Sequence, residues 1–525
     1  MGIFTKIHKT KTTIKALATD IRSTNADIKA LQNRINSPCP PVSNPTVSYW
    51  QSEAPYPDLV DIQSETLADE ADIVIIGSGI AGCSVAYTLL NTASSSPNAR
   101  QQENHPPRIV LLEARTLCSG ATGRNGGQIK CTPHTEYSGY KRRFGKESAK
   151  KLVDFQKRHL GIITNVAEAV EDGGLSEVRE VETVDVFTDE DAWKKAVACV
   201  DEARKDVHEF VEGKYKIEPS HCYGIIAYRA GAVWPYRLVT GIYKSLLDKY
   251  SSQFSIETNT RVTEIRNDPK SQTKPFLVAT ARGTIRASHV IHCTDGFAST
   301  LIPGLRGKLF PVRGHMTAQN AGTQVPDTKG RRSWSVVGKR GFDYITQRPS
   351  PSHELPGELL VGGGVVQSPG HGIDEFGIWR EDGISYTVRS YLGGLMPTIF
   401  GSENWGEDTR GYRVQQTWTG CMGFTCDLLP YVGRLDQKLT GRKLPRRSRR
   451  GAGEWICAGF QGEGMVLAWL SGIAIGLMVN GVEDEEVEAQ PGIPGGKVKD
   501  WLPSELRCSK ERVERATVTE LGLLL

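Results

Sequence analysis

Six consecutive residues, Gly77-Ser78-Gly79-Ile80-Ala81-Gly82, carry the strongest chemical signal in the chain. They stand between an apolar run, Asp72-Ile73-Val74-Ile75-Ile76, and a helix-forming run from Cys83 to Leu90. Strand, glycine turn and helix in that order make a cradle for a pyrophosphate. Gly77 permits the tight turn, Gly79 lets bare backbone approach the phosphates, and Gly82 lets the helix pack against the sheet; the helix start at Ile80 and Ala81 then offers N–H donors and a positive dipole. A second apolar strand, Arg108-Ile109-Val110-Leu111-Leu112, ends at Glu113, an acid placed to take ribose hydroxyls. The interval from Gly82 to Glu113 exceeds the usual ~20 residues, and the polar loop from Asn91 to Pro107 accounts for the excess. An acid at that tip disfavours a 2′-phosphate, so the pattern selects FAD or NAD over NADP.

Directly after Glu113 comes Ala114-Arg115-Thr116-Leu117-Cys118-Ser119-Gly120-Ala121-Thr122-Gly123-Arg124-Asn125-Gly126-Gly127, a small-residue stretch whose backbone amides could wrap a second phosphate or a ring system. With this stretch the chain resembles the FAD-dependent oxidoreductases of the D-amino-acid oxidase superfamily, the branch of sarcosine and glycine oxidases and many fungal flavoproteins. The resemblance continues through Gly231-Ala232-Val233-Trp234-Pro235, Val290-Ile291-His292-Cys293-Thr294-Asp295-Gly296, Gly357 to Gly363, Trp418 to Gly433, and Gly459-Phe460-Gln461-Gly462-Glu463-Gly464-Met465. These matches span roughly residues 70 to 480.

The resemblance implies an α/β fold in which a Rossmann-like FAD-binding domain (68–134, 231–308 and 411–482) interleaves with a mixed-sheet α+β substrate domain (135–230 and 309–410). It assigns FAD contacts to Gly77, Gly79, Ile80, Ala81, Gly82, Glu113, Ala114, Arg115, Ala121, Thr122, Asn125, Gly126 and Gly127, to the backbone of Val262, and to Gly459, Gln461, Gly462, Gly464 and Met465. The last group has a physical logic of its own. Trp455-Ile456-Cys457-Ala458 reads as a strand, Gly462 and Gly464 open a turn, and a helix from Met465 would aim its N-terminus at the flavin pyrimidine, where negative charge gathers on reduction.

For the chemistry, the resemblance implies oxidation of a C–N bond in an amine or amino acid, with hydride passing from carbon to flavin N5 and an imine left for water to hydrolyse. Four residues are candidates for the substrate side: Glu463, which replaces a common family histidine; His315, which either faces the ring or serves as a satisfied structural histidine; and Tyr344 and Arg348, which would share one face of a strand. Two departures qualify the expectation. Sarcosine oxidases carry a flavin-facing lysine that promotes oxygen reduction where this strand reads Leu359-Leu360-Val361, and many relatives read Gly-His-Gly where this chain has Gly462-Glu463-Gly464; Cys421 stands near the flavin-attachment region of sarcosine oxidases, but its spacing to Asp427 is not theirs. One alternative is therefore a flavin dehydrogenase or secondary-metabolite tailoring enzyme with a non-oxygen acceptor. An alternative of another class is a non-catalytic flavin-binding interaction protein.

No metal is expected. His289 and His292 would point to opposite faces of a strand, and Cys421 and Cys426 lack a histidine pair beside them. No Walker loop or nucleophile elbow is present.

The rest of the chain bounds the answer. Its 525 residues suffice for several domains, and 64 basic against 60 acidic residues leave a net charge of +4, which selects neither nucleic acid nor membrane as partner. Eleven cysteines without a CxxC pair fit reduced thiols and a cytoplasmic setting, and the longest apolar stretch, Met465 to Val479, falls short of the ~20 residues that span a bilayer. Ile7, Ile14, Ile21, Ile28 and Ile35 recur every seven residues, a helical stripe over residues 1–36 suited to self-association. Mitochondrial targeting by this helix is the lesser reading, since no arginine precedes Asp20 and the acids Asp20 and Asp27 interrupt the basic face. A Pro-rich run within 37–67 reads as an extended linker, 483–525 as a C-terminal tail, and the basic run Arg442 to Arg450 as a solvated loop.

Overall fold

The chain is described by a computed structural model over residues 26–92, 106–170, 174–204, 217–268, 270–350, 356–444 and 451–518. Ile73 to Ile76, an unbroken β-branched run, form the centre of the first sheet because a parallel strand covered on both faces needs apolar side chains on both. Strand Glu70–Ile76 pairs in parallel with Ile109–Leu112 on one side and Gly283–His292 on the other. Phe254–Glu257 extends the first flank, and Gly453–Ala458 followed by the antiparallel Tyr431–Arg434 extends the second. A hairpin of Val262–Asn267 and Phe276–Thr280 branches from Gly283–His292.

Two helices pack on this sheet at close range. Helix Ile80–Asn91 and helix Ala468–Val479 touch where Gly472 and Gly476 face Ser84 and Thr88; a Cβ at either glycine would overlap those side chains. The second helix is apolar all round and buried from Ala468 to Met478, which explains the apolar stretch of the sequence as a core helix. Among the described residues no helix is long and apolar enough to cross a membrane.

The second sheet runs Val414–Thr425, Leu309–Gln319, Leu359–Gly363, Phe342–Gln347, Arg332–Val337, Arg179–Phe187, Gly224–Ala232 and Gln128–Ile129. One face packs on helix Tyr386–Trp405 through Val184, Val336, Ile345, Val361 and their neighbours. The other face turns toward the first sheet, where Met316, Ala318, Leu360 and Trp418 join the core that holds Ile75 and Leu111.

Sheet membership moves the expected domain boundaries. Val414–Thr425, placed by sequence in the FAD-binding domain, pairs along its length with Leu309–Gln319 in the second sheet, and Gln128–Ile129 joins that sheet as well. The segment expected as a linker is docked: Trp50 is 1% exposed and packs edge-on against Trp234. The expected tail is docked too, with Trp501, Leu506 and Val513 buried and Arg512 paired to Asp427 at 2.7 Å. Proline content signals extended backbone, and extended backbone can lie along a surface as readily as span a gap. Of the isoleucine stripe, Ile35 is buried against the body with Phe310, Phe376 and Trp379, and Ile28 is exposed; Ile7, Ile14 and Ile21 lie outside the described residues. Arg442, from the basic run, pairs with buried Glu454, which also accepts from His292 Nε2 at 2.8 Å; residues 445–450 lie outside the described residues.

Candidate active site

The glycine turn sits at the carboxyl end of the central strand. Gly77 has φ +107°, a left-handed value that favours glycine, and a Cβ on it would lie 2.5 Å from the Cys293 carbonyl. A Cβ on Gly82 would run into the Gly77 carbonyl. Gly79 caps the helix that begins at Ile80, and the Ile80 N–H donates to Thr122 Oγ1 at 3.0 Å, so turn and small-residue loop are tied together. Glu113 accepts from Ser78 N–H at 3.1 Å and Ser78 Oγ–H at 2.6 Å through one carboxylate oxygen, and from Arg115 N–H at 3.0 Å through the other. Bare backbone at a helix start, with an acid at the tip of the neighbouring strand, fits a dinucleotide with free ribose hydroxyls. Val262 opens its strand with a side chain buried in the cluster that holds Ile76 and Leu112.

The loop of Ala114 to Gly127 is held from outside by the docked segment. Ser48 Oγ–H donates to Gly123 O at 2.7 Å, Gln51 Nε2–H to the same oxygen at 3.0 Å, and Trp50 Nε1–H to Asn125 O. Inside the loop, Asn125 Oδ1 accepts from Gly127 N–H at 2.8 Å, Ala121–Gly123 form one 3₁₀ turn, and a Cβ on Gly126 would strike the Tyr344 ring at 2.6 Å. Arg115 contributes only backbone here. Its guanidinium forms a buried pair with Glu381 at 2.6 Å, and Glu381 also accepts from Cys421 N–H at 2.8 Å.

The C-terminal turn closes the third side. Gly459 and Gly462 have positive φ, Gln461 has φ +58°, and Gly464–Val466 make a 3₁₀ turn before the α-helix proper starts at Ala468, three residues later than Met465. Asp295, itself at φ +44°, joins the turn to both sheets by accepting from Gly423 N–H at 2.7 Å, Gly459 N–H at 2.9 Å and Phe460 N–H. Ser119 Oγ, Thr294 Oγ1 and Gln461 Oε1 are buried here without a hydrogen-bond partner among the described residues. Orphaned donors and acceptors beside a cradle of bare backbone are what a polar cofactor would satisfy.

Over this cradle the second sheet presents a row fixed by register: Trp418, Met316, Gly362, Tyr344, Ser335 and Asp185 stand opposite one another across six strands and therefore share a face. Lys130, just past Gln128–Ile129, binds Asp185 and Ser335 at the far end of the row, and Asp185 also accepts from His134 Nε2 at 2.8 Å and Tyr228 O–H at 3.0 Å. Burial pushes the Asp185 carboxyl up, but Lys130 and His134 together hold it well below the carboxylate range. Near this pair stand Glu463 and Glu136, the latter in the first turn of helix Pro133–Phe144, where burial outweighs what opposes it. Burial raises Glu136 to about 7, against hydrogen bonds from Gln156 and Tyr140, and burial plus the Glu136 charge raise Glu463 to about 8, against Lys130.

A cradle for a dinucleotide facing a sheet with ionisable groups narrows the comparison with known proteins. The family described as FAD dependent oxidoreductase (DAO) matches residues 72–476. The chain belongs to that family. Gamma-glutamylputrescine oxidoreductase of Escherichia coli (strain K12) is 21% identical over 466 residues, covering 86% of this chain and 92% of that one. Glycine oxidase of Bacillus licheniformis is 24% identical over 381 residues, covering 69% and 84%. The crystal structure of glycine oxidase from Geobacillus kaustophilus superposes with a TM-score of 0.57 at 18% identity, covering 81% of this chain and 98% of that one. Family membership makes the protein an FAD-dependent oxidoreductase, and the expected α/β fold, a Rossmann-like FAD-binding sheet with a mixed-sheet substrate domain, is the one observed, the first sheet being mixed as well.

Of the four substrate-side candidates, this DAO-family structure brings two together. Glu463 is half-buried at the turn, and its charge acts on Tyr344, whose ring lies over Gly126. His315 takes the structural one of its two expected roles and not the flavin-facing one: it alternates with Met316 and so faces the other side of the sheet, where Nε2 accepts from Ser385 N–H at 2.9 Å. Burial, then the nearby Arg313, lowers it to about 4, so it is a neutral structural acceptor at the start of helix Tyr386–Trp405. Arg348 is a correction. It falls just past strand Phe342–Gln347, pairs with Glu177 at 2.7 Å and Glu358 at 3.3 Å, and stacks on Trp234, so its charge is already matched. Cys421, next to Met422 on the same strand, donates Sγ–H to Ile378 O on the face away from the cradle.

Sequence reasoning missed Lys130, His134, Glu136, Asp185 and Tyr228. Asp185 did leave a signal, as a lone acid inside the strand run Val184-Asp185-Val186-Phe187, where a buried charge requires a partner.

Proposed function

We propose that this FAD-dependent oxidoreductase oxidises a C–N bond of an amine or amino acid, releasing an imine that water hydrolyses to a carbonyl compound and an amine. The observation that carries the reading is the row of side chains running from Met316 to Asp185 over the glycine cradle, with the raised carboxyl of Glu463 beside it. FAD supplies the hydride acceptor when bound. Gly77, Gly79, Gly82 and Glu113 would hold its ADP half, and the loop at Thr122 to Gly127 and the turn at Gly459 to Met465 its flavin half. The chain's own task is to place the substrate α-carbon between roof and cradle and to leave its nitrogen unprotonated, because only the free lone pair assists loss of hydride. Glu463, whose carboxyl is raised to about 8 by burial and the Glu136 charge, would take that proton in its ionised form, as pH rises toward and past that value.

Leu360 favours a non-oxygen acceptor as the second reading. It stands on the inner face, two residues from Gly362, in the strand where sarcosine oxidases carry their lysine. Product analysis separates the readings: with an amine substrate and a dye acceptor the enzyme should yield the carbonyl product at least about tenfold faster than with oxygen alone. Equal rates would remove the dehydrogenase reading, and no carbonyl product with either acceptor from any amine or amino acid would remove both.

A further inference from the structure

Gln128–Ile129 is the last strand of the second sheet, separated from Phe342–Gln347 in strand order by Arg332–Val337, Arg179–Phe187 and Gly224–Ala232. Gln128 Nε2–H nonetheless donates to Ile345 O at 2.9 Å and to Trp334 O at 3.3 Å, so the sheet curls until its last strand lies across its own inner face. Lys130, two residues on, reaches the same face and donates to Asp185 Oδ1 and Ser335 Oγ. Upstream, Gly126 meets the Tyr344 ring so closely that a Cβ would overlap it. The loop that would hold the flavin half of FAD thus runs directly into two side chains fastened to the roof.

The Lys130 fastening is a buried ion pair: its side chain is 7% exposed and that of Asp185 2%. Asp185 Oδ2 is further occupied by His134 Nε2 and Tyr228 O–H, and the Lys130 ammonium lies 5.5 Å from the centre of the Tyr228 ring. A pair of this kind adds little net stability over an apolar filling of the same volume, because both ions give up their hydration. What it supplies is a fixed geometry. An ammonium held by two acceptors, facing a carboxylate held by three donors, cannot slide as two apolar side chains can. We propose that Lys130 is a positioning residue for the oxidation: seated on Asp185 and Ser335, and assisted by Gln128, it sets the depth at which the flavin-binding loop lies beneath the roof. This role rests on the placement of FAD at the cradle and not on the identity of the substrate. Hydride transfer is sharply sensitive to such spacing, since a displacement of about 1 Å can cost about a hundredfold in rate.

The holoenzyme carrying Lys130→Met and Asp185→Asn together tests the role, because removing both charges leaves neither partner of the pair as an unmatched buried ion. Gln128→Leu tests the second fastening without touching a charge, and carries the same readouts should the double variant not fold. Each variant should have a denaturant midpoint near that of wild type and retain one FAD per chain. The visible circular dichroism of the bound flavin, which reads its surroundings and needs no substrate, should change in both. Anaerobic reduction of the double variant, by whichever amine or amino acid bleaches the wild type, should slow at least about tenfold at saturation while the half-saturating concentration moves less than about threefold. A pair that only stabilised the fold would shift the midpoint and leave spectrum and saturated rate alone. Full FAD content with wild-type dichroism in both variants, or a double variant reduced as fast as wild type, overturns the role. Loss of FAD from a folded double variant overturns it too, by making the pair a device for retaining the cofactor rather than spacing it. If no amine or amino acid bleaches the wild type, the C–N oxidation reading fails and the dichroism alone decides the role of Lys130.

Discussion

The cradle and the roof face each other and are built on opposite principles. The cradle is made of backbone: Gly77, Gly79 and Gly82 lie within one turn, and what each does follows from lacking a side chain. The roof is made of side chains, with Met316, Tyr344, Ser335 and Asp185 reaching one face from four strands and Lys130 and Glu136 from the chain beyond a fifth. A site built from backbone stands together in sequence and binds what many proteins share. A site built from cross-strand register is scattered and carries what is particular to this chain.

The difference can be broken from either side. Gly82→Val has the largest expected effect: its Cβ would overlap the Gly77 carbonyl, so the purified variant should retain essentially no FAD and show no visible flavin absorbance. Stoichiometric FAD in that variant would mean that the cradle does not hold the cofactor. On the roof, Asp185→Asn strands the buried Lys130 ammonium and should cost about 3–5 kcal/mol of unfolding free energy. Adding Lys130→Met should recover most of it; a single variant within about 1 kcal/mol of wild type in a denaturant titration would contradict the pairing. Trp50→Phe keeps an aromatic ring but loses the N–H that fixes Asn125 O, and should weaken FAD binding by about three- to tenfold, near the net worth of one hydrogen bond.

Buried histidines and buried glutamates respond to pH with opposite sign. His159, His289 and His315 are lowered to about 4 by burial, and for His289 and His315 also by Arg434 and Arg313, whereas the unfolded chain titrates them near 6.5. The unfolded state therefore binds more protons between those values, and each histidine's contribution to stability is lost as pH falls from about 6.5 to 4. Glu136 and Glu463 act oppositely. The folded state keeps protons to about 7 and 8 that the unfolded chain releases near 4.5, so stability falls as pH rises through that window. Measured against wild type, Glu463→Gln should flatten the alkaline limb and leave the acid limb intact; the reverse would place the titrating groups elsewhere.

How much was legible follows the same division. The strand–turn–helix of Asp72 to Leu90 and the acid at Glu113 were readable because their geometry is local, and a dinucleotide without a 2′-phosphate followed from them; FAD in particular came from the resemblance to the D-amino-acid oxidase superfamily. Membership of Val414–Thr425 in the second sheet was not readable, because strand pairing with Leu309–Gln319 is a long-range choice. His315 and Arg348 carried suitable chemistry, but their use depends on facts outside their own strands: one faces helix Tyr386–Trp405, and the other meets Glu177 and Glu358. The Pro-rich segment misled in the opposite direction, because its composition gave no hint that Trp50 would find a slot beside Trp234 and Gly127.

The account joins cradle and roof into one active site, and anaerobic mixing of the purified protein with an excess of each of a panel of amines and amino acids tests that union most directly. The account predicts a yellow protein with one FAD per chain whose visible absorbance is bleached by at least one of them, and a Glu463→Gln variant, equally yellow, bleached at least about tenfold more slowly at the same concentration of that substrate, a difference of ~1.4 kcal/mol. Full FAD content with identical bleaching rates in wild type and variant would contradict it, by showing that the acids beside the roof take no part in the chemistry over the cradle.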